Sequence, residues 1–391
     1  MIKYFDSFYG GHVSSDNLGF SGIPVDLRRE TDHHLAQIFD YTLEIAKIMD
    51  STGFDTLWLS EHHFQREGFG GIPNTLLLSI YLAQKTKDLN FGGWFNIVPI
   101  WHPLRIAEDF ASADIITKGR IKFGIGRGYI AREVETLGSP LLDKEANREL
   151  FEEQFEIILK SWNTSSFSHK GKHYQIPAPV PHRHESLTNI TLVPRPINLP
   201  VECWQPIQGG SEGALNFMAL HNIKGVIAGG TAKGGSAKKT AEKYQEALSR
   251  KGKTTILGEN LALAVNFYID DSMAKAEKKA ELAFQESLKV LGPLGVIPGL
   301  TSEQISELKN IKGVTNTDGL PTLKNAIKEG SWICGTPEHI VEKIKDIEER
   351  FPGLERISMG AGHLGIGPKS IVEILSHFGE KVIPVFKTYN F

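Results

Sequence analysis

At 391 residues the chain has room for one large domain or several ordinary ones and can bury a sizeable core. Its composition, 40% hydrophobic and 23% charged with a formal net charge of -3 and no dense Lys/Arg cluster, is that of a globular protein and argues against nucleic acid or acidic membranes as partners. Met1 to Tyr9 has no charged region leading into a long apolar core, no apolar run reaches the ~18 residues of a membrane span, and the only cysteines, Cys203 and Cys334, lack any metal-binding spacing; a cytoplasmic protein with reduced thiols is expected.

In chain order, short apolar runs alternate with helix-period segments. Ile2 to Tyr9 reads as a strand, Gly10 to Thr31 as a long connection, and His33 to Ser51 as an amphipathic helix stopped by Gly53. Phe54 to Ser60 is a second strand, and it runs directly into Glu61, His62, His63 and Phe64. Helix Asn74 to Lys87, strand Leu89 to Val98, helix Leu104 to Thr117, strand Ile121 to Ile125 and helix Asp143 to Trp162 follow. The segment 163–200 breaks the alternation with His, Pro and aromatic residues and reads as an insertion with a small hairpin at Phe167 to Tyr174.

The alternation resumes with strand Val201 to Trp204, helix Ser211 to His221, strand Gly225 to Ala228, helix Ala237 to Ser249, strand Asn260 to Tyr268 and helix Ser272 to Val290. Residues 292–330, rich in Gly, Pro, Thr and Asn, show no strand alternation and read as an insertion or active-site lid. Thr336 caps a helix from Glu338 to Arg350 with Pro337 in its first turn, and strand Arg356 to Met359 and helix Lys369 to Val382 close the chain. Eight βα units predict a single α/β domain, a (β/α)8 TIM barrel with two insertions, whose chemistry sits on loops at the strand C-terminal ends.

Three polar clusters fall at such ends. Glu61-His62-His63 offers an imidazole suited to proton transfer near neutral pH, with Glu61 available to orient a ring or bind a ligand. Adjacent histidines point to opposite sides of an extended chain, so at most one of the pair faces the barrel mouth. Gly124-Ile125-Gly126-Arg127-Gly128-Tyr129 combines close backbone approach with a guanidinium suited to phosphate oxygens, although its glycine spacing is not that of a dinucleotide fingerprint. Gln208-Gly209-Gly210-Ser211 opens a helix, where free amides and the helix dipole favour an anion.

Together, Ser60-Glu61-His62-His63-Phe64, Gly92 to Pro99 with His102-Pro103, Gly119-Arg120 and Gly124 to Gly128, in this order and spacing, resemble the bacterial luciferase-like flavin-dependent monooxygenases. The resemblance implies a TIM barrel binding reduced FMN, or in some branches a deazaflavin, with a non-proline cis peptide at Trp94-Phe95. It implies His62 as the catalytic histidine beside Glu61, and Trp94, Phe95, Asn96, Arg127, Gly128, Gly209, Gly210 and Ser211 as cofactor-binding residues. Gly210 replaces a phosphate-contacting glutamate of luciferase and Ala214 a threonine, so the phosphate site is expected to be altered in detail. The implied reaction uses reduced FMN and O2, through a C4a-peroxyflavin, to oxygenate an apolar or carbonyl-containing small molecule against an aromatic wall of Trp94, Phe95, Trp101 and Phe64. A separate NAD(P)H:flavin reductase and a homodimer built on the early helices are the implied partners. Alternatives are a deazaflavin-dependent dehydrogenase or reductase, a non-catalytic flavin-binding subunit, and a metal-dependent hydrolase, the last disfavoured because the early His-x-His pair of such enzymes is absent and adjacent histidines chelate poorly.

Overall fold

The computed structural model describes residues 1–208, 210–228, 235–297, 299–310 and 312–387. Nine strands carry the architecture: β1 (Tyr4–Tyr9), β2 (Thr56–Leu59), β3 (Asn90–Gly93), β4 (Ile121–Gly126), β5 (Cys203–Pro206), β6 (Lys224–Ala228), β7 (Leu261–Ile269), β8 (Trp332–Gly335) and β9 (Arg356–Gly360). All but β8 pair in parallel in the order β5-β6-β7-β9-β1-β2-β3-β4, and β4 returns to β5 through Phe123 opposite Cys203. This is the closed eight-strand barrel that the sequence predicts.

Strands of such a barrel are buried on both faces, which is why β2 is apolar or β-branched throughout and wholly buried. Helix α1 (Asp32–Thr52) packs outside it, started by the Thr31 side chain accepting from His34 N and stopped by Gly53 at φ 85°. Helices α2 (Thr75–Ala83) and α3 (Pro103–Ile116) follow β2 and β3. The predicted third strand is shorter than its apolar run: it ends at Gly93, turns through a cis Trp94-Phe95 peptide, and resumes only as Asn96–Ile97 beside β4.

Several elements were not expected. A six-residue helix, α4 (Ala131–Thr136), leaves β4 before α5 (Lys144–Asn163). Strand β8 pairs with β7 from Asn266 to Ile269, beyond the stretch Ala262 to Asn266 that pairs with β9. The nine-residue β7 is long enough to hold both neighbours.

The segment 163–200 holds two small hairpins, His169–Lys170 with Gln175–Ile176 and Pro181–His182 with Glu185–Ser186. After α6 (Glu212–His221), α7 (Ser236–Arg250) and α8 (Met273–Leu291), residues 292–330 carry two short helices, α9 (Ser302–Leu308) and α10 (Leu323–Glu329). Helices α11 (Pro337–Arg350), with Thr336 as cap, and α12 (Pro368–Lys381) complete the ring. Among the described residues, no helix is long and apolar enough to cross a membrane.

The barrel interior is filled by indoles: Trp58 stacks on Trp94 with centroids 4.5 Å apart and meets Trp204 edge-on at 5.9 Å. Its N-terminal end is plugged by charge. Arg356 Nη1 donates to Asp6 and Asp55 at 2.6 Å each, and Glu202 bridges Lys122 and Lys224 at 3.2 and 2.6 Å. These ion pairs are structural, whereas the opposite end of the barrel is open.

Candidate active site

At that open end the chain leaving β2 turns back at once. His62 N donates to Ile72 O at 3.1 Å, and Gly70, at φ 65°, lies against the imidazole: a Cβ there would stand 2.7 Å from His62 Cβ. This tight turn fixes the ring between two partners. On one side, Nδ1 lies 3.1 Å from Glu133 Oε1 on α4; on the other, Nε2 lies 3.2 Å from the Tyr129 hydroxyl.

Protonation states follow from the surroundings. Burial pushes the Glu133 carboxyl up, but hydrogen bonds and charge from His62, the Gln65 amide at 2.5 Å and the His63 backbone N–H at 3.0 Å outweigh it and leave the pKa below its ordinary value. Glu133 is therefore an ionised acceptor. The proton of neutral His62 sits on Nδ1, and Nε2 presents its lone pair to the Tyr129 hydroxyl. That phenol, enclosed at its hydroxyl end although the residue is 40% exposed, is pushed up in pKa by burial and by the Glu133 charge, so it stays a donor.

Glu61, by contrast, is fully engaged elsewhere. Its Oε2 accepts from Ile97 N at 2.6 Å, and its Oε1 from Trp101 Nε1 at 2.8 Å, with His63 Nε2 at 3.2 Å. The group that orients His62 is thus Glu133, not Glu61, which instead pins the Asn96–Ile97 extension to the end of β2 and holds His63.

His62, Tyr129 and Glu61 line one face of a cavity of about 450 Å³, within the ~300–1,000 Å³ range of small-molecule sites. Trp94 and Phe95 form a wall. At another part of the lining lie Arg127, Gly128, Gly210, Ser211 and Ala214. The exposed Arg127 guanidinium has no ion-pair partner among the described residues, and Ser211 N-caps the ten-residue α6 without a side-chain capping bond. A cation and free first-turn amides facing one cavity form a phosphate-type cradle.

The sequence matches the family model described as luciferase-like monooxygenase over residues 22–352. The chain belongs to the luciferase-like monooxygenase family. The oxygenase component of flavin-dependent trigonelline monooxygenase from Acinetobacter baylyi is 32% identical over 154 residues, 39% of this chain and 42% of that protein. The chain spans less than half the length of such curated relatives. Two solved structures share the fold. They are the oxygenating constituent of 3,6-diketocamphane monooxygenase from Pseudomonas putida in complex with FMN (TM-score 0.72, 19% identity, 98% of each chain) and an F420-dependent secondary alcohol dehydrogenase (TM-score 0.67, 16% identity, 98% and 99%).

In this luciferase-like chain the residues fit a flavin on independent grounds. Three buried polar atoms in the cavity lining have no protein partner: Trp94 Nε1, a donor; Gln205 Oε1, an acceptor; and Ser358 Oγ, which can be either. A planar ring with a polar edge of N–H and C=O groups satisfies such atoms, and its apolar portion suits the indole wall.

Of the residues expected at the cofactor, Trp94, Phe95, Arg127, Gly128, Gly210 and Ser211 line the cavity. Gly209 lies outside the described residues. Asn96 does not line the cavity: its side chain accepts from Thr75 Oγ1 at 2.6 Å and donates to Gly124 O at 2.7 Å, clamping the Asn96–Ile97 extension between α2 and β4. Phe64 is 52% exposed and Trp101 is tied to Glu61, so neither belongs to the aromatic wall. Sequence reading missed Glu133, Gln205 and Ser358, and quoted Tyr129 without a role. Glu133 carries no local signal, because it meets His62 across 71 positions of chain.

Proposed function

We propose that this protein is the oxygenase component of a two-component system. It binds reduced FMN delivered by a separate NAD(P)H:flavin reductase and oxygenates a small organic substrate with O2. The observation that carries the reading is the Glu133–His62–Tyr129 array opening onto the same cavity as the Arg127 and Ser211 cradle.

In this reading Arg127, the Gly210 and Ser211 amides and the Ser211 hydroxyl hold the phosphate. Trp94, Phe95, Gln205 and Ser358 position the ring. Bound reduced FMN supplies the electrons that activate dioxygen. Glu133 is a positioning residue: it keeps the His62 proton on Nδ1 and stabilises the imidazolium when Nε2 takes a proton. His62 is the catalytic residue that takes and returns a proton at Nε2, with the Tyr129 hydroxyl as the group it exchanges with. The indole wall keeps water out. Exposed Phe39, Leu77, Tyr81 and Ile116 on α1 to α3 support a homodimer formed by the early helices.

The test is an anaerobic titration with photoreduced FMN followed by mixing with aerated buffer, with a reduced deazaflavin run in parallel. Saturable FMN binding and enzyme-dependent oxygen uptake are expected. No binding and uptake no faster than free flavin sinks the reading, and turnover with the deazaflavin alone replaces it with the dehydrogenase alternative.

A further inference from the structure

A second cavity, of about 480 Å³, lies on the far side of Tyr129. It is lined by Pro24 and Val25 from the long 10–31 connection, by Phe69 and Ile130 near the site, and by Leu294, Leu308 and Val314 from the 292–330 segment. Among the lining residues of the two cavities, Tyr129 alone belongs to both. Its hydroxyl bonds His62. The two spaces are therefore neighbouring chambers with one aromatic side chain as a shared wall.

The charges around this chamber are spent on each other. Arg132 is paired with Glu67 at 2.7 Å and also binds Gln65, with Asp26 close enough to act on its charge. Lys289 is held by Glu286 at 3.0 Å. Glu286 also accepts from Gly19 N at 3.0 Å and from Arg28 at 2.6 Å, which fastens the 10–31 connection to α8 and makes this wall rigid. Only Asp26 and Lys309, both exposed, carry charge without an ion-pair partner among the described residues of this lining. An ionic ligand would lose hydration here without gaining an unpaired buried counter-charge, whereas an apolar one gains by burial alone.

We propose that this second chamber is a ligand site of its own, distinct from the flavin cavity, and that it takes a neutral, predominantly apolar small molecule. Resting on the flavin reading above, that molecule is the substrate, held with one end toward Tyr129, the wall shared with the flavin cavity.

The probe is the neutral naphthyl ketone prodan, followed by its blue-shifted emission with and without saturating FMN. Prodan is expected to bind at one site per chain, with FMN leaving its affinity within about twofold. Leu308→Trp should fill the chamber and weaken prodan at least tenfold with FMN affinity unchanged; Leu294→Trp, at a position already 36% exposed, is a second filler should the first fail to fold. 2-Decanone should displace the probe at least tenfold better than decanoate or decyltrimethylammonium. Competition between FMN and prodan, insensitivity to both Trp variants, or equal displacement by the ionic compounds overturns the proposal. Failure of FMN to bind sinks the flavin reading alone, since the Trp variants still decide the chamber.

Discussion

The imidazole of His62 and the carboxylate of Glu133 meet at 3.1 Å although they come from different βα loops, one following β2 and the other on a six-residue helix after β4. The pair sets the direction in which the array moves a proton. Glu133→Gln keeps a hydrogen-bond partner but removes the charge, and the rate of oxygen uptake with reduced FMN is expected to fall about tenfold to a hundredfold while FMN affinity holds. Glu133→Asp, which keeps the charge, should retain more of the rate than Glu133→Gln, because the imidazolium keeps an anionic neighbour. Equal losses in the two variants would reduce Glu133 to a structural support.

Arg127 is exposed, so its removal should cost little stability. Arg127→Ala is expected to weaken FMN about tenfold to a hundredfold, the value of a charge-assisted hydrogen bond of roughly 1.5–3 kcal/mol, and to leave riboflavin unchanged. Fluorescence titrations with the two flavins check this. Equal losses for both would mean that the guanidinium touches the ring or only shapes the loop.

Most of the fold was legible because parallel barrel strands are apolar on both faces, and helices such as α1 and α11 carry their own start and stop residues. Strand β8 left a signal that was available but unused: the buried run Trp332-Ile333-Cys334 directly before the capped start at Thr336. The site was half legible. His62 and Arg127 sit beside strand ends in recognisable local runs, but the partner of His62 is fixed by the packing of α4 against the 62–72 turn, and no residue spacing encodes a contact across 71 positions. The same limit explains Glu61, whose adjacency to His62 in sequence suggested a partnership that its bonds to Ile97 and Trp101 do not allow.

Gly124 is where the barrel wall has no room. A Cβ there would stand 1.8 Å from Gly93 O and 3.1 Å from the Phe95 ring, so β3 and β4 must separate to admit it. Gly124→Ala is expected to cost at least about 1–3 kcal/mol of stability. Gly213→Ala, in α6 with open space around it, should stabilise by about 0.5–1 kcal/mol. Urea melts of both variants check the contrast, and similar behaviour of the two would refute the steric account of the β3–β4 junction.

Glu202, at the closed end of the barrel, controls stability in acid rather than chemistry. Burial pushes its carboxyl up, but Lys122 and Lys224, with hydrogen bonds from Lys224 and Trp204, more than reverse this and hold it at about 2, against an ordinary value of 4.5. A carboxylate whose pKa is depressed by folding contributes stability that is complete above its unfolded value and is lost as pH falls through its folded one. The window therefore runs from about 4.5 down to about 2. The side chain is 34% exposed, so solvent screening makes the contribution smaller than the full shift implies. Glu202→Gln should be less stable than the parent at neutral pH and lose less stability across that window, with the two urea midpoints converging as pH approaches 2. Parallel curves across the window would mean that the lysines are satisfied by solvent and that this bridge does not couple folding to pH.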